Sequence, residues 1–432
     1  MNKMISDEYA VYLPAVNLQY ATIITKPLPP TRPFPNTLTL DDLLFWRSKN
    51  KLFYQPHYLH SVGQYKVGSK VADNAVMRRG KTDGILFGDS GGYQIGNGSL
   101  DGIKTLKGVM EADDACLAWR EAYDVRSWIL GWLETYTNYA MTIDMPLWAR
   151  DPAKSNTPFH KCSPEQLIQL TVENLQFIDS HRQHQTKWLN VLQGTDMAAI
   201  KQWWDAVKWF KGGGYALSSL MGRRLGLGGL LEPLLMMRDE KAFDKGRDWI
   251  HILGVSTATW AIMFTAIQKA LKENANSNIR LSYDSSSPFK DAGIMEKYEI
   301  LPTFGNKVEN WVIQKEQFPH SGDYLDSTEP WPCQSPIADK MTLGHMNVRD
   351  EHGMFTPLQF DTLSLSLLAN HNIWTYFETF RQANELVFAS QNRNDVPDTL
   401  KSCVDVIEHI FTVENWKGEL IKHATLLEQF KG

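Results

Sequence analysis

From residue 85 to residue 284 the chain repeats one pattern: a short apolar run, a polar or small residue at its end, then a longer amphipathic stretch. The apolar runs are 85–87 (ILF), 139–144 (YAMTID), 188–193 (WLNVLQ), 215–219 (YALSS), 249–255 (WIHILGV) and 279–284 (IRLSYD). Helix signals separate them. Ser163-Pro164-Glu165-Gln166 reads as a capping box with proline at the first helical position. Leu167, Leu170, Asn174 and Ile178 then follow at helical spacing. Ile200, Trp203, Val207 and Phe210 make a second stripe, stopped by Gly212-Gly213-Gly214. Thr257 opens a third helix that runs to about Lys272. Strands joined by helices of this length form a parallel sheet. Either an open doubly wound sheet or a closed (β/α)₈ barrel would satisfy the pattern.

The strand ends favour the barrel. Asp89, Asp144, Gln193, Ser218-Ser219, Gly254 and Asp284 all fall at or near the C-terminal end of an expected strand. A barrel gathers those ends at one mouth, where active sites are built, whereas an open sheet spreads them along an edge. The glycines after 85–87 lack the G-x-G-x-x-G spacing of a dinucleotide fold. Beyond about residue 320 the alternation fades. Residues 320–360 read as loop-rich, and the last seventy mainly as helices, over 363–388 and 401–430. The proline-rich stretch 27–35 reads as an extended N-terminal loop.

Composition narrows the function classes. No apolar run approaches the roughly 18 residues of a membrane span, and the first residues lack a basic-then-apolar secretion signal. A cytoplasmic location, with no membrane partner, is the expectation. The four cysteines, Cys116, Cys162, Cys333 and Cys403, are too dispersed for a disulfide framework or an all-cysteine zinc site. A net charge of −5 does not advertise a nucleic-acid binder, but a local basic patch suffices for binding. Arg78-Arg79-Gly80-Lys81 and Arg223-Arg224 are the candidates, against the plainer reading of solvated surface.

Three aspartates and a glutamine face the expected mouth. One aspartate at a strand end is usually a helix cap or turn residue. Three on separate strands point to chemistry: paired carboxylates suit a double displacement at a sugar carbon, one as nucleophile and the other as acid and base. The remaining carboxylate and amide suit the polar edge of a purine-like ring.

These residues carry a resemblance. Asp89-Ser90-Gly91-Gly92-Tyr93-Gln94 resembles the DSGG(F/Y)Q signature of the tRNA-guanine transglycosylases, and Asp144 in TIDMP resembles the aspartate with which that family holds its base. Leu192-Gln193-Gly194 is similar to its VQG, 215–220 (YALSSL) to its YAIGGL, and Leu253-Gly254-Val255 to its (M/L)GVG. Tyr283-Asp284 followed by Pro288 looks like the strand that carries the nucleophile, and 369–372 (ANHN) like a late histidine–asparagine pair in the zinc subdomain. The matches keep their order over roughly residues 85 to 390. The resemblance implies a (β/α)₈ TIM barrel with a late insertion and a helical C-terminal region. Residues 1–60 would lead into it, 61–319 would form the catalytic core, and 320–432 would hold the insertion and final helices.

It also implies a chemistry. Asp284 would attack C1′ of a guanosine while Asp89 supplies a proton to the departing guanine, and a 7-deazaguanine would then displace Asp284. Asp144 and Gln193 would bind the base edge, with Ser90, Gly194, Gly254 and the peptides of Ser218 and Ser219 around it. Gly91 and Gly92 would let the backbone approach the base, and Tyr93 would stack on it, although Tyr93 also reads as a core aromatic. The implied partners are DNA (or tRNA), a base flipped from its strand, and a free 7-deazaguanine such as preQ0; a homodimer is compatible. No cofactor is required for the exchange. A transferase acting on tRNA, and a non-catalytic subunit that only binds nucleic acid, are the alternatives.

The departures tilt the reading toward the DNA-modifying phage and bacterial branch of this superfamily. Ser218-Ser219 replaces a glycine pair, and Met145 a glutamate. Arg223-Arg224 stands where many members carry a glutamate, which favours a neutral 7-cyano base over a cationic 7-aminomethyl one. Residues 331–336 (WPCQSP) keep one cysteine of the family's CxCxxC. Cys333 and His371 alone cannot hold zinc, so a structural zinc would need His345 or His320 as well.

Overall fold

In the computed structural model, the described residues are 4–68, 73–79, 83–100, 106–218, 220–244, 246–350, 352–390 and 394–430, with backbone only for 220–225. Eight strands form one parallel sheet: β1 Val11–Pro14, β2 His57–Ser61, β3 Ile85–Asp89, β4 Tyr139–Met141, β5 Lys187–Leu192, β6 Gly214–Leu217, β7 Trp249–Ile252 and β8 Arg280–Ser285. The order is β1-β8-β7-β6-β5-β4-β3-β2. A parallel bridge between Ala15 and Leu59 joins the two ends, with Val16 N–H donating to Leu59 O at 2.8 Å. The chain is a (β/α)₈ barrel with a helical C-terminal region.

Two of the eight strands lie in the segment expected only to lead into the barrel. β1 and β2 fall before residue 62, so the barrel core starts near residue 11 rather than 61. Their sequences, VYLP and HYLHS, are short, and the long irregular stretch between them hides the strand–helix alternation.

Parity along the strands explains the rest. Val11, Leu13, Leu59, Phe87, Met141, Leu189, Val191, Ala216 and Trp249 pack together as the filling of the barrel. Alternate residues face outward into the shell of helices. The helix Pro164–His181 starts where its capping box predicts, with Ser163 Oγ accepting from Gln166 N–H. Thr257 caps Ala258–Asn274 in the same way. The glycine triplet at 212–214 does more than stop a helix. A Cβ on Gly212 would lie 2.2 Å from Trp188 O, and one on Gly214 1.8 Å from Trp249 O, so these glycines let neighbouring strands close on one another.

After β8 come an antiparallel hairpin, β9 Lys297–Ile300 with β10 Gln314–Gln317, and then irregular chain. The helix Thr362–Asn384 follows, and the region expected as one last helix over 401–430 is three: Asp398–Ile410, Trp416–Lys422 and Ala424–Leu427. No helix among the described residues is long and apolar enough to cross a membrane.

Candidate active site

Asp89 ends β3 and Asp284 is the last residue but one of β8, while Asp144 lies three residues past β4. The register continues the inward parity of the filling, so Asp89 and Asp284 stand one layer above Phe87 and Ser282. The three carboxylates share one electrostatic neighbourhood. Burial raises the pKa of Asp89, hydrogen bonds from the Ser61 hydroxyl and Gly91 N–H oppose that, and the charge of Asp284 adds to it. Burial, then the charge of Asp89, lift Asp144 to about 7, against the opposing hydrogen bond from Gln193. A carboxyl pushed upward in this way holds its proton to higher pH than an exposed one does.

Asp284 is held differently. Its Oδ1 accepts from Gly254 N–H at 2.7 Å and faces Nε2 of fully buried His251 at 3.3 Å. That second contact is longer than an ideal hydrogen bond, and Nε2 has no hydrogen-bond partner among the described residues. Both contacts fall on one oxygen. Oδ2 has no hydrogen-bond partner among the described residues.

Around this centre several sequence-derived roles change. Gln193 is 3% exposed, and its amide is committed inside the protein. Nε2 donates to Asp144 Oδ2 and to Met145 O at 3.1 Å, while Oε1 accepts from Leu147 N–H at 2.8 Å. With both N–H groups taken, it positions Asp144 and the loop behind it instead of reading a base. Gly254, expected beside the base, gives its N–H to Asp284. Gly194 is required by packing, because a Cβ there would lie 2.4 Å from Ile200 Cγ1. Gly91 has φ +82° and sits against Gly63, whose Cα would be 3.0 Å from an added Cβ, so its clearance serves another backbone. Gly92 does open onto the mouth: the nearest atom to an added Cβ is Asp144 Oδ1 at 3.8 Å.

Ser90 is buried and donates to Thr142 O at 3.2 Å. Ser218 gives its N–H to Leu192 O at 3.0 Å, extending the β5–β6 pairing. Ser219 lies outside the described residues, as do Gly80, Lys81 and the side chains of Arg223 and Arg224. Tyr93 is no core residue: it is 63% exposed and stacks on Trp148 with ring centres 5.5 Å apart.

Arg78 and Arg79 do not reach the mouth. Arg79 is buried and donates to the carbonyls of Asp83, Gly84 and Tyr136 and to Asn138 Oδ1, all just before β3 and β4 at the opposite end of the barrel. Arg78 pairs with Asp73 at 2.5 Å. An arginine doublet reads as a phosphate site in sequence, but here Arg79 braces the barrel floor and Arg78 pairs with an exposed aspartate.

The residues considered for zinc do not make a donor set. His371 is fully buried. Its Nε2–H donates to Glu299 O and its Nδ1 accepts from Ser335 Oγ, both at 2.9 Å. Burial lowers its pKa to about 4. His345 Nδ1 accepts from Thr342 N–H at 3.0 Å, His320 stacks on Phe360, and burial pushes the Cys333 thiol up to about 12. No group of three or more metal-ligating side chains occurs among the described residues.

The sequence reading missed His251 and Ser282. Strand parity was the available signal: His251 lies two residues after inward-facing Trp249, and Ser282 two before Asp284. A polar side chain at such a position sits inside the barrel.

No family model matches this chain, and no curated protein matches it.

Proposed function

We propose that this chain is a base-exchange transglycosylase that replaces guanine in a polynucleotide with a 7-deazaguanine, through a covalent intermediate on Asp284. The observation that carries the reading is the division of labour between two carboxylates at one barrel mouth. Asp284 presents a free oxygen while its other oxygen is held by Gly254 N–H, and Asp89 is biased by burial toward its protonated form.

The steps follow from that division. Oδ2 of Asp284 bonds to C1′ as the bond from C1′ to N9 breaks, and guanine leaves with the proton of Asp89. The incoming base returns its N9 proton to Asp89, N9 bonds to C1′, and Asp284 departs as a carboxylate. Two inversions give retention at C1′. Asp144 Oδ1, beside Gly92, accepts from the N–H groups of the base edge, and Gln193 holds the other oxygen. Tyr93 and Trp148 supply a flat apolar surface at the rim.

The ordered resemblance to tRNA-guanine transglycosylases supports the substrate class. The departure from that family's cysteine set favours DNA over tRNA as the polynucleotide. The test is to incubate the protein with labelled guanine and either duplex DNA or tRNA. Label entering DNA supports the reading, label entering tRNA reassigns the polynucleotide, and label entering neither overturns it.

A further inference from the structure

Behind Asp284 lies a chain of buried polar groups. The Trp249 indole N–H donates to Ser282 Oγ at 2.8 Å, and Ser282 Oγ lies 2.9 Å from His251 Nδ1. Nε2 of the same ring faces Asp284 Oδ1 at 3.3 Å. His251 and Ser282 are register partners on β7 and β8 and are both fully buried. Phe87 stacks on the imidazole at 6.3 Å and leans on Trp249 at 5.1 Å, so the chain is walled by rings. A barrel interior is the costliest place for a polar group. The apolar filling of the barrel includes Phe87, Val191 and Ala216.

Donor chemistry fixes one end of the chain. Indole is only a donor, so Ser282 Oγ accepts from Trp249. With the serine proton given to Nδ1, the imidazole proton sits on Nε2, in front of Asp284 Oδ1. Gly254 N–H approaches the same oxygen.

We propose that His251, oriented by Ser282 and Trp249, is a positioning residue for the nucleophile: its Nε2–H holds Oδ1 of Asp284 so that Oδ2 attacks, and it stays on Oδ1 through the covalent intermediate. This rests on the transglycosylase reading above. Once Oδ2 is bonded to C1′, Oδ1 is the carbonyl oxygen of an ester. When the second base breaks that ester, charge returns to the carboxylate, and Gly254 N–H, already bonded to Oδ1, and His251 Nε2–H, 3.3 Å from it, receive it. The 3.3 Å contact shortens as that charge develops.

Two measurements test this. The first is the rate of forming the denaturant-resistant protein–polynucleotide adduct. His251→Phe keeps the ring and loses the donor. It lowers that rate about 100-fold, with KM for the polynucleotide changed less than about threefold. His251→Gln, which retains an N–H donor, recovers about tenfold of the loss. Adduct formation at the wild-type rate in His251→Phe overturns the proposal.

The second is nitrogen NMR of histidine-labelled protein without substrate. His251 is expected as the Nε2–H tautomer, with a signal that moves in Asp284→Asn. An Nδ1–H tautomer, or a signal unmoved by that substitution, overturns the proposal whatever the reaction is. If wild type forms no Asp284-dependent adduct with any polynucleotide, the transglycosylase reading fails, while the NMR result still decides the contact.

Discussion

The barrel mouth and the late insertion both carry scattered polar residues of site-forming type, and among the described residues only the mouth brings them together. Asp89, Asp144, Gln193, Gly254 and Asp284 come from five separate strand ends at one mouth, where Gln193 meets Asp144, Gly254 meets Asp284, and Asp89 interacts with both other aspartates through charge. Cys333, His345 and His371 come from a loop, a four-residue helix and a long helix, and the two histidines bond to separate neighbours. A closed parallel sheet fixes where side chains meet. Irregular chain imposes no such constraint, so matched residue types there carry little information about contact.

The strongest way to break this comparison is at Asp284. Asp284→Asn keeps an Oδ1 acceptor for Gly254 N–H and His251, so the fold should survive, but the nucleophilic oxygen is gone. Exchange should fall by at least about 10³-fold, and the covalent adduct should be absent. Near-normal turnover in this variant would remove the nucleophile assignment.

Asp89→Asn should cost less, about 10²–10³-fold, because it removes proton transfer and leaves the attack itself intact. The two carboxylates separate cleanly with 7-methylguanine as the base to be displaced. That base is already cationic and needs no proton to leave. Its release should be restored in Asp89→Asn and stay absent in Asp284→Asn. Failure of the rescue would mean that Asp89 does something other than supply the proton.

The insertion should respond in stability and not in chemistry. His371→Ala strands the Ser335 hydroxyl and Glu299 carbonyl and leaves a cavity, at a cost of about 2–4 kcal/mol. Cys333→Ser should cost less than about 1 kcal/mol, and a chelator should leave the melting temperature of wild type unchanged. A fall in melting temperature on chelation that Cys333→Ser abolishes would show that the insertion does assemble a metal site.

What was legible in the sequence follows the same line. Six strands, the capping box at Ser163 and the carboxylates at strand ends were readable because each has a local signature: periodicity, a cap, or a turn after an apolar run. β1 and β2 were not, since four or five residues flanked by irregular chain carry no periodicity. Gln193 was placed correctly but given the wrong partner. Its role depends on Met145 and Leu147, which reach it through a loop whose course no local rule specifies. Arg79 was misread for a similar reason: an arginine's partners lie at the end of a long side chain, and here they are backbone carbonyls at the barrel floor.

At Asp144 one shifted group should give two pH dependences of opposite sign. Its pKa is raised to about 7, first by burial and then by Asp89. The folded value lies above the unfolded one, so its favourable contribution is complete below about pH 4 and is lost as pH rises through about 7. Stability should therefore decline across that window, and Asp144→Asn should flatten the decline. Base binding runs the other way. The N–H donors of a guanine-like edge need the ionised carboxylate, so affinity for the free base should rise about tenfold per pH unit below 7 and level off above it. Urea unfolding and base titration at matched pH values measure both. A base affinity that is flat from pH 5 to 8 would detach Asp144 from the base, leaving it a buried acid held by Gln193 and nothing more.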